Sequence, residues 1–139
     1  MKSTALWSVI ALLCVCRIAS AQEITCPTAI QPAAVKITAW DGWRPYIAYA
    51  LPLYGAGMSA GPPESERQLR GEAVDRKGMT TKYELGHVGM EQGRWLDCRY
   101  GRAGELLVSR RLDERLKRCT VTHFELVPGE PRRISIVCE

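Results

Sequence analysis

Cys26, Cys98, Cys119 and Cys138 carry the most legible chemistry in this chain. They are dispersed, with no C-x-x-C pair to begin a tetrahedral zinc site, so no metal is expected. An even set of four thiols reads instead as two disulfides, with three connectivities open. The reading leans to Cys26–Cys138, which joins the two ends, with Cys98–Cys119 across a shorter loop. Bridged sulfurs also remove the thiolate that a nucleophilic cysteine needs.

The other reactive residues assemble into no catalytic set. Of the two histidines, His87 stands between Gly86 and Val88, and His123 sits beside Phe124 in an alternating stretch, where a sheet histidine is the ordinary meaning. Gly-x-Ser-x-Gly, His-Glu-x-x-His and a phosphate-cradling glycine loop are all missing from the sequence. Glu64 with Glu66, and Asp113 with Glu114, lack the apolar surround that raises a carboxyl pKa for acid catalysis. Asp97, on one strand face with Trp95, is the carboxylate most open to perturbation, and Arg99 two residues along is its expected partner. A hydrolase using His87 with Asp97 is the residual enzymatic option. No catalytic residue and no cofactor are expected.

Binding chemistry is better represented. Trp40-Asp41-Gly42-Trp43-Arg44-Pro45-Tyr46 gathers two tryptophans, an arginine and a tyrosine around a Gly/Pro turn. These types dominate interface hot spots because each buries a large area and keeps a polar end. Trp40, Trp43, Arg44 and Tyr46 are therefore the expected partner-binding residues, with one tryptophan turned into the core and Arg44 outward. Gly55-Ala56-Gly57-Met58 and Gly61-Pro62-Pro63 read as a loop-rich margin.

The N-terminus sets the compartment. Lys2, an apolar run from Ala5 to Ile18, and Ala19-Ser20-Ala21 form a cleavable export signal over residues 1–21, too short for a stable membrane anchor. Cys14 and Cys16 leave with it, which reduces six cysteines to four, so residues 22–139 are expected as a single disulfide-tied β domain in the periplasm. The 19 basic and 15 acidic residues become 17 and 15 once Lys2 and Arg17 are removed, formally +2. That balance does not suggest nucleic-acid binding. The basic residues between Arg99 and Arg133 read first as a solvated face, and second as a docking surface for an acidic partner.

These residues must be positioned by strands. Arg94–Tyr100 alternates, with Leu96, Cys98 and Tyr100 on one face; Gly101 to Gly104 supplies a turn, and Glu105–Leu112 runs back. Arg118–Phe124 and Ile134–Cys138 alternate on either side of Pro128-Gly129-Glu130-Pro131, so the second half is expected as a meander. Ile24–Ile30, Val35–Trp40, Tyr46–Tyr54 and Lys82–Val88 are the strands of the first half, with Pro52 confining its strand to an edge or bulge. Glu64–Glu72 offers one or two helical turns on a surface loop. The fold class is mainly β, a small antiparallel sheet or sandwich of about seven strands with at most one or two short helices.

Cys26-Pro27, Gly61-Pro62-Pro63-Glu64 followed by Leu69, Trp95-Leu96-Asp97-Cys98-Arg99-Tyr100, Cys119-Thr120-Val121 and Cys138 together resemble a family of small periplasmic proteins of Gram-negative bacteria. Its members have no assigned activity, occur near type VI secretion loci, and in part resemble immunity proteins against peptidoglycan-targeting effectors. The resemblance implies a non-catalytic inhibitor that occludes a cell-wall-directed toxin enzyme. Residues 40–54 match nothing in that pattern. An inhibitor of host lysozyme, or an envelope-maintenance protein that binds peptidoglycan or a lipoprotein, is the alternative. The basic second half speaks against an inhibitor of a basic lysozyme.

Overall fold

The computed structural model describes residues 21–86 and 91–139. The export signal, Ala21 apart, and His87 lie outside the described residues. Among the described residues nine strands make two antiparallel sheets: β1 Gln22–Ile24, β2 Ala29–Ile30, β3 Leu51–Ser59, β4 Glu72–Ala73, β5 Thr80–Glu84, β6 Trp95–Tyr100, β7 Leu106–Arg111, β8 Arg118–His123 and β9 Ile134–Cys138. One sheet runs β1-β9-β8-β5-β4 and the other β2-β3-β6-β7. The expected mainly-β class is the one observed.

Period-two alternation builds the core. Leu96, Cys98 and Tyr100 of β6 are buried, as are Cys119 and Val121 of β8 and Ile136 and Cys138 of β9. With Leu53, Met58 and Leu85 they form one apolar cluster drawn from both sheets. Each fully buried side chain of this size contributes roughly 1.5–3 kcal/mol. The β6–β7 turn uses Gly101 and Gly104 at φ +100° and +77°, a region that costs glycine nothing.

The second half departs from a single meander. β6 pairs with β7 and β8 with β9, but β7 and β8 belong to different sheets. The chain crosses between them over residues 112–117, burying Leu112 and Leu116. Crossing lets the apolar face of β8 lie against the opposite sheet instead of extending the edge at β7.

The first half needs more correction. Val35–Trp40 forms no strand, and Ile24–Ile30 divides at Cys26-Pro27 into β1 and β2, one in each sheet. Tyr46–Tyr54 begins only at Leu51, but β3 then runs through Gly55-Ala56-Gly57-Met58, which is buried strand and not a loop margin. Pro52 is tolerated because it faces only the two-residue β2. The register shift falls between Leu53 and Gly55. The Lys82–Val88 strand starts two residues earlier, as β5, and the Glu64–Glu72 helix shrinks to a 3-10 turn at Pro63–Ser65.

All four cysteines among the described residues are bridged, but as Cys26–Cys98 and Cys119–Cys138. The expected pairing is overturned by register. Cys119 and Cys138 are direct partners on adjacent strands, 4.1 Å apart at Cα, whereas Cys98 lies in the other sheet. The Cys26–Cys98 bridge spans 72 residues and the other spans 19.

Two stability measurements follow. By chain entropy, replacing Cys26 and Cys98 with alanine removes about 4 kcal/mol, and replacing Cys119 and Cys138 removes about 3 kcal/mol before any packing loss; urea unfolding reads both. Tyr100 is fully buried and its hydroxyl has no hydrogen-bond partner among the described residues. Tyr100→Phe is therefore expected to leave stability unchanged or raise it by about 1 kcal/mol, against a loss if that hydroxyl is bonded.

Candidate functional site

Ile30 of β2 pairs with Leu51 of β3, so residues 31–50 leave the sheet and return to it at one place. Among these residues the regular structure is a 3-10 turn at Pro32–Ala34. A second turn is closed by Trp43 N–H donating to the Trp40 carbonyl at 3.0 Å, with Gly42 at φ +77°. Pro32, Val35, Ile37, Pro45, Tyr46 and Ile47 enclose a cleft of about 190 Å³ within the loop. The loop thus folds partly upon itself while its aromatic side chains stay largely exposed.

Those side chains are the most exposed large apolar groups described: Trp40 is 82% exposed, Trp43 73%, Tyr46 86% and Tyr49 83%. Arg44 between them is exposed too. Trp40, Trp43, Arg44 and Tyr46 are therefore brought together on one loop. The tryptophan expected in the core is not there; Tyr100, Met58 and the aliphatic residues fill it instead. Tyr49 belongs with the set and was hidden by the strand reading of Tyr46–Tyr54. Its signal is spacing, because Ile37, Trp40, Trp43, Tyr46 and Tyr49 recur at every third residue and all are exposed.

Three members of the basic run are neutralised locally. Arg111 pairs with Glu114 at 2.8 Å, Arg115 with Asp113 at 2.6 Å, and Arg118 with Glu139 at 3.0 Å, while Arg133 stacks 5.2 Å from the Phe124 ring centroid. The Arg115 guanidinium holds the Asp113 carboxyl down at about 2. The solvated-face reading accounts for these residues. Asp97 is 1% exposed, and its carboxylate accepts from Ser109 Oγ at 2.6 Å, its register partner on β7. Ser109 thus takes the place expected of Arg99.

His123 has a structural task. Ala56 N–H of β3 donates to His123 Nε2 at 3.2 Å, which joins the edge of one sheet to β8 of the other. That nitrogen can accept only while unprotonated. Burial, and then the nearby charge of Arg132, push the imidazole below its ordinary value. Among the described residues no cluster of three or more His, Cys, Asp or Glu is arranged to hold a metal. No helix among them is long and apolar enough to cross a membrane.

A disulfide-tied β scaffold that displays aromatic side chains on a closed loop has the features of a binding protein. Residues 48–139 match the Type VI secretion system Tli immunity protein family, and the chain belongs to it. This is the kinship to which the cysteines and the Trp95–Tyr100 stretch pointed, and it makes a toxin protein the partner. No curated protein and no solved structure matches the chain.

The histidine yields a pH test. Its folded-state pKa lies below the unfolded value of about 6.5, so the unfolded chain binds the extra proton first. The stabilisation is complete above about pH 6.5 and is lost as pH falls from there toward the folded value. Urea midpoints are expected to be lower at pH 5 than at pH 7.5, and His123→Gln is expected to flatten that difference. Asp113, with its pKa near 2, stays ionised throughout this window and cannot supply the effect.

Proposed function

We propose that residues 22–139 form one disulfide-tied β domain in the periplasm, delivered there by a cleaved signal, which occludes the active site of a cognate toxin enzyme without performing chemistry itself. The proposed target class is an enzyme that cuts the cell wall. Membership of an immunity family supports a toxin partner, and two disulfides suit an oxidising compartment. The observation that carries the reading is the 31–50 loop. Loops of this length in compact folds are uncommon and usually functional, and this one exposes Trp40, Trp43, Tyr46 and Tyr49 to solvent.

Pinning at Ile30–Leu51 matters energetically. A loop held at both ends loses less entropy on docking than a free segment, and large aromatic side chains lose few rotors. The exposed rings are the anchors and Arg44 supplies charge beside them. Family resemblance spans residues 48–139, so most of this loop lies ahead of the matched part. That separation suits a shared scaffold carrying a partner-specific reader.

Trp40→Ala and Trp43→Ala should each weaken capture of the cognate toxin by about 2 kcal/mol or more, roughly 30-fold, with melting temperature unchanged because both rings are exposed. Calorimetry on the co-purified pair measures this. Toxin activity on isolated sacculi and on phospholipid vesicles, with and without the protein, identifies the target. Inhibition confined to vesicles would replace the wall-cutting class, and unchanged affinity in both variants would remove the loop as the reader.

A further inference from the structure

The groove between β3 and the opposite sheet has a composition that the loop reading does not use. Tyr54 to Met58 line one side, Tyr83 and His123 the other, and Arg99 and Arg132 reach it from β6 and from the segment leading into β9, around a volume of about 320 Å³. Two arginines and a histidine line it, and no Asp or Glu does. Gly55 and Gly57 contribute no side chain to that wall, so the space stays open; a methyl group there would sit 3.7 Å from His123 Nε2 and 3.6 Å from Tyr83 Oη.

The arginines are not spent on ion pairs. Arg132 Nη1 donates to the Tyr54 carbonyl at 3.3 Å, and its Nε is buried with no hydrogen-bond partner. Among the described residues neither Arg99 nor Arg132 lies within salt-bridge distance of a carboxylate, unlike Arg111, Arg115 and Arg118. Asp97, the acid of β6, lines a different cavity and is held by Ser109, while its charge, like that of Arg99, is felt at Tyr83. A half-buried guanidinium without an anion keeps its desolvation cost uncompensated, and the planar fork matches a carboxylate bidentately.

We propose that this groove is a second binding site, which takes an acidic side chain carried on a loop of the partner protein, clamped by Arg99 and Arg132 with Tyr83 donating to it. Charge complementarity selects the occupant: a cationic groove without acids, on a chain whose family binds a protein, calls for the anion that proteins carry, a carboxylate. The volume admits a glutamate side chain with its flanking backbone. The proposal rests on the toxin-binding reading but uses a different surface from the aromatic loop.

The test uses the oxidised protein and two blocked tetrapeptides, Gly-Glu-Glu-Gly and Gly-Gln-Gln-Gly, with inorganic phosphate as a third probe, followed by amide and imidazole shifts in NMR titrations. Expected are saturable shifts at Gly55, Ala56, Gly57 and the His123 ring with the glutamate peptide, weakened by salt. Binding should fall at least tenfold in Arg99→Gln, whose side chain has no hydrogen bond to lose among the described residues, and again in Arg132→Gln. Equal shifts with the glutamine peptide, no shift at these residues, or phosphate binding as tightly as the peptide would each overturn the proposal. Toxin capture separates the two claims. Loss of binding in Arg99→Gln supports the groove. Retained binding in Arg99→Gln with loss in Trp40→Ala refutes the groove alone, whereas a toxin that binds no form of the protein refutes the reading beneath it.

Discussion

Cys26 leaves β1 in one sheet and, three residues later, the chain enters β2 in the other; the bond to Cys98 fastens that crossing to β6, an inner strand of the second sheet. Neither sheet is large, and several strands are only two or three residues long. Such strands cannot persist on ladder hydrogen bonds alone, since isolated pairs are marginal in water. They persist because the chain on either side is fixed. β2 lies between Cys26 and the loop, and its pairing to Leu51 closes that loop. The disulfide therefore governs more than stability, because it holds the base from which the exposed aromatic side chains project.

The two bridges divide the labour. Cys119–Cys138 staples neighbouring strands within the core of one sheet, where both sulfurs are wholly buried. Cys26–Cys98 works between sheets, across the longer stretch of chain, and so constrains the unfolded ensemble more. The seam between the sheets also carries polar stitches. His123 accepts from the Ala56 amide and Arg132 donates to the Tyr54 carbonyl, so side chains satisfy part of an edge that no strand covers. Satisfying that edge with side chains instead of a strand leaves a groove beside it. The same arrangement answers the hazard of an unpaired edge.

Legibility in the sequence followed periodicity. The strands of the second half read correctly because Leu96, Cys98 and Tyr100, or Val121 and Ile136, alternate cleanly and the turns are marked by glycine. The Cys119–Cys138 pairing was misread in favour of Cys26–Cys138, although its signal was present: Cys119 stands nine residues before Pro128 and Cys138 nine after Gly129, so the hairpin turn sets them opposite one another. β3 was hidden because two glycines in a strand look like a loop, and their placement against Tyr83 and His123 of the far sheet shows only in three dimensions. Both the groove and the Asp97–Ser109 bond join residues from separate elements, and no local pattern reports such convergence. The aromatic set was legible in type, while its exposure was not, because burial depends on what else fills the core.

The proposed role of the loop in partner choice fits how the loop is closed. Because residues 30 and 51 are paired, the intervening chain can change in sequence or length while the sheets keep their register. Lengthening a closed loop costs little, since closure entropy grows only as the logarithm of its length. Changes at Arg132 are not free in that sense, because its guanidinium bonds the β3 backbone at the Tyr54 carbonyl. A toxin that altered its surface could thus be followed by drift in the loop far more readily than by drift in the groove. On this ground the two surfaces should play unequal parts, the groove gripping a feature common to a class of partners and the loop distinguishing among them.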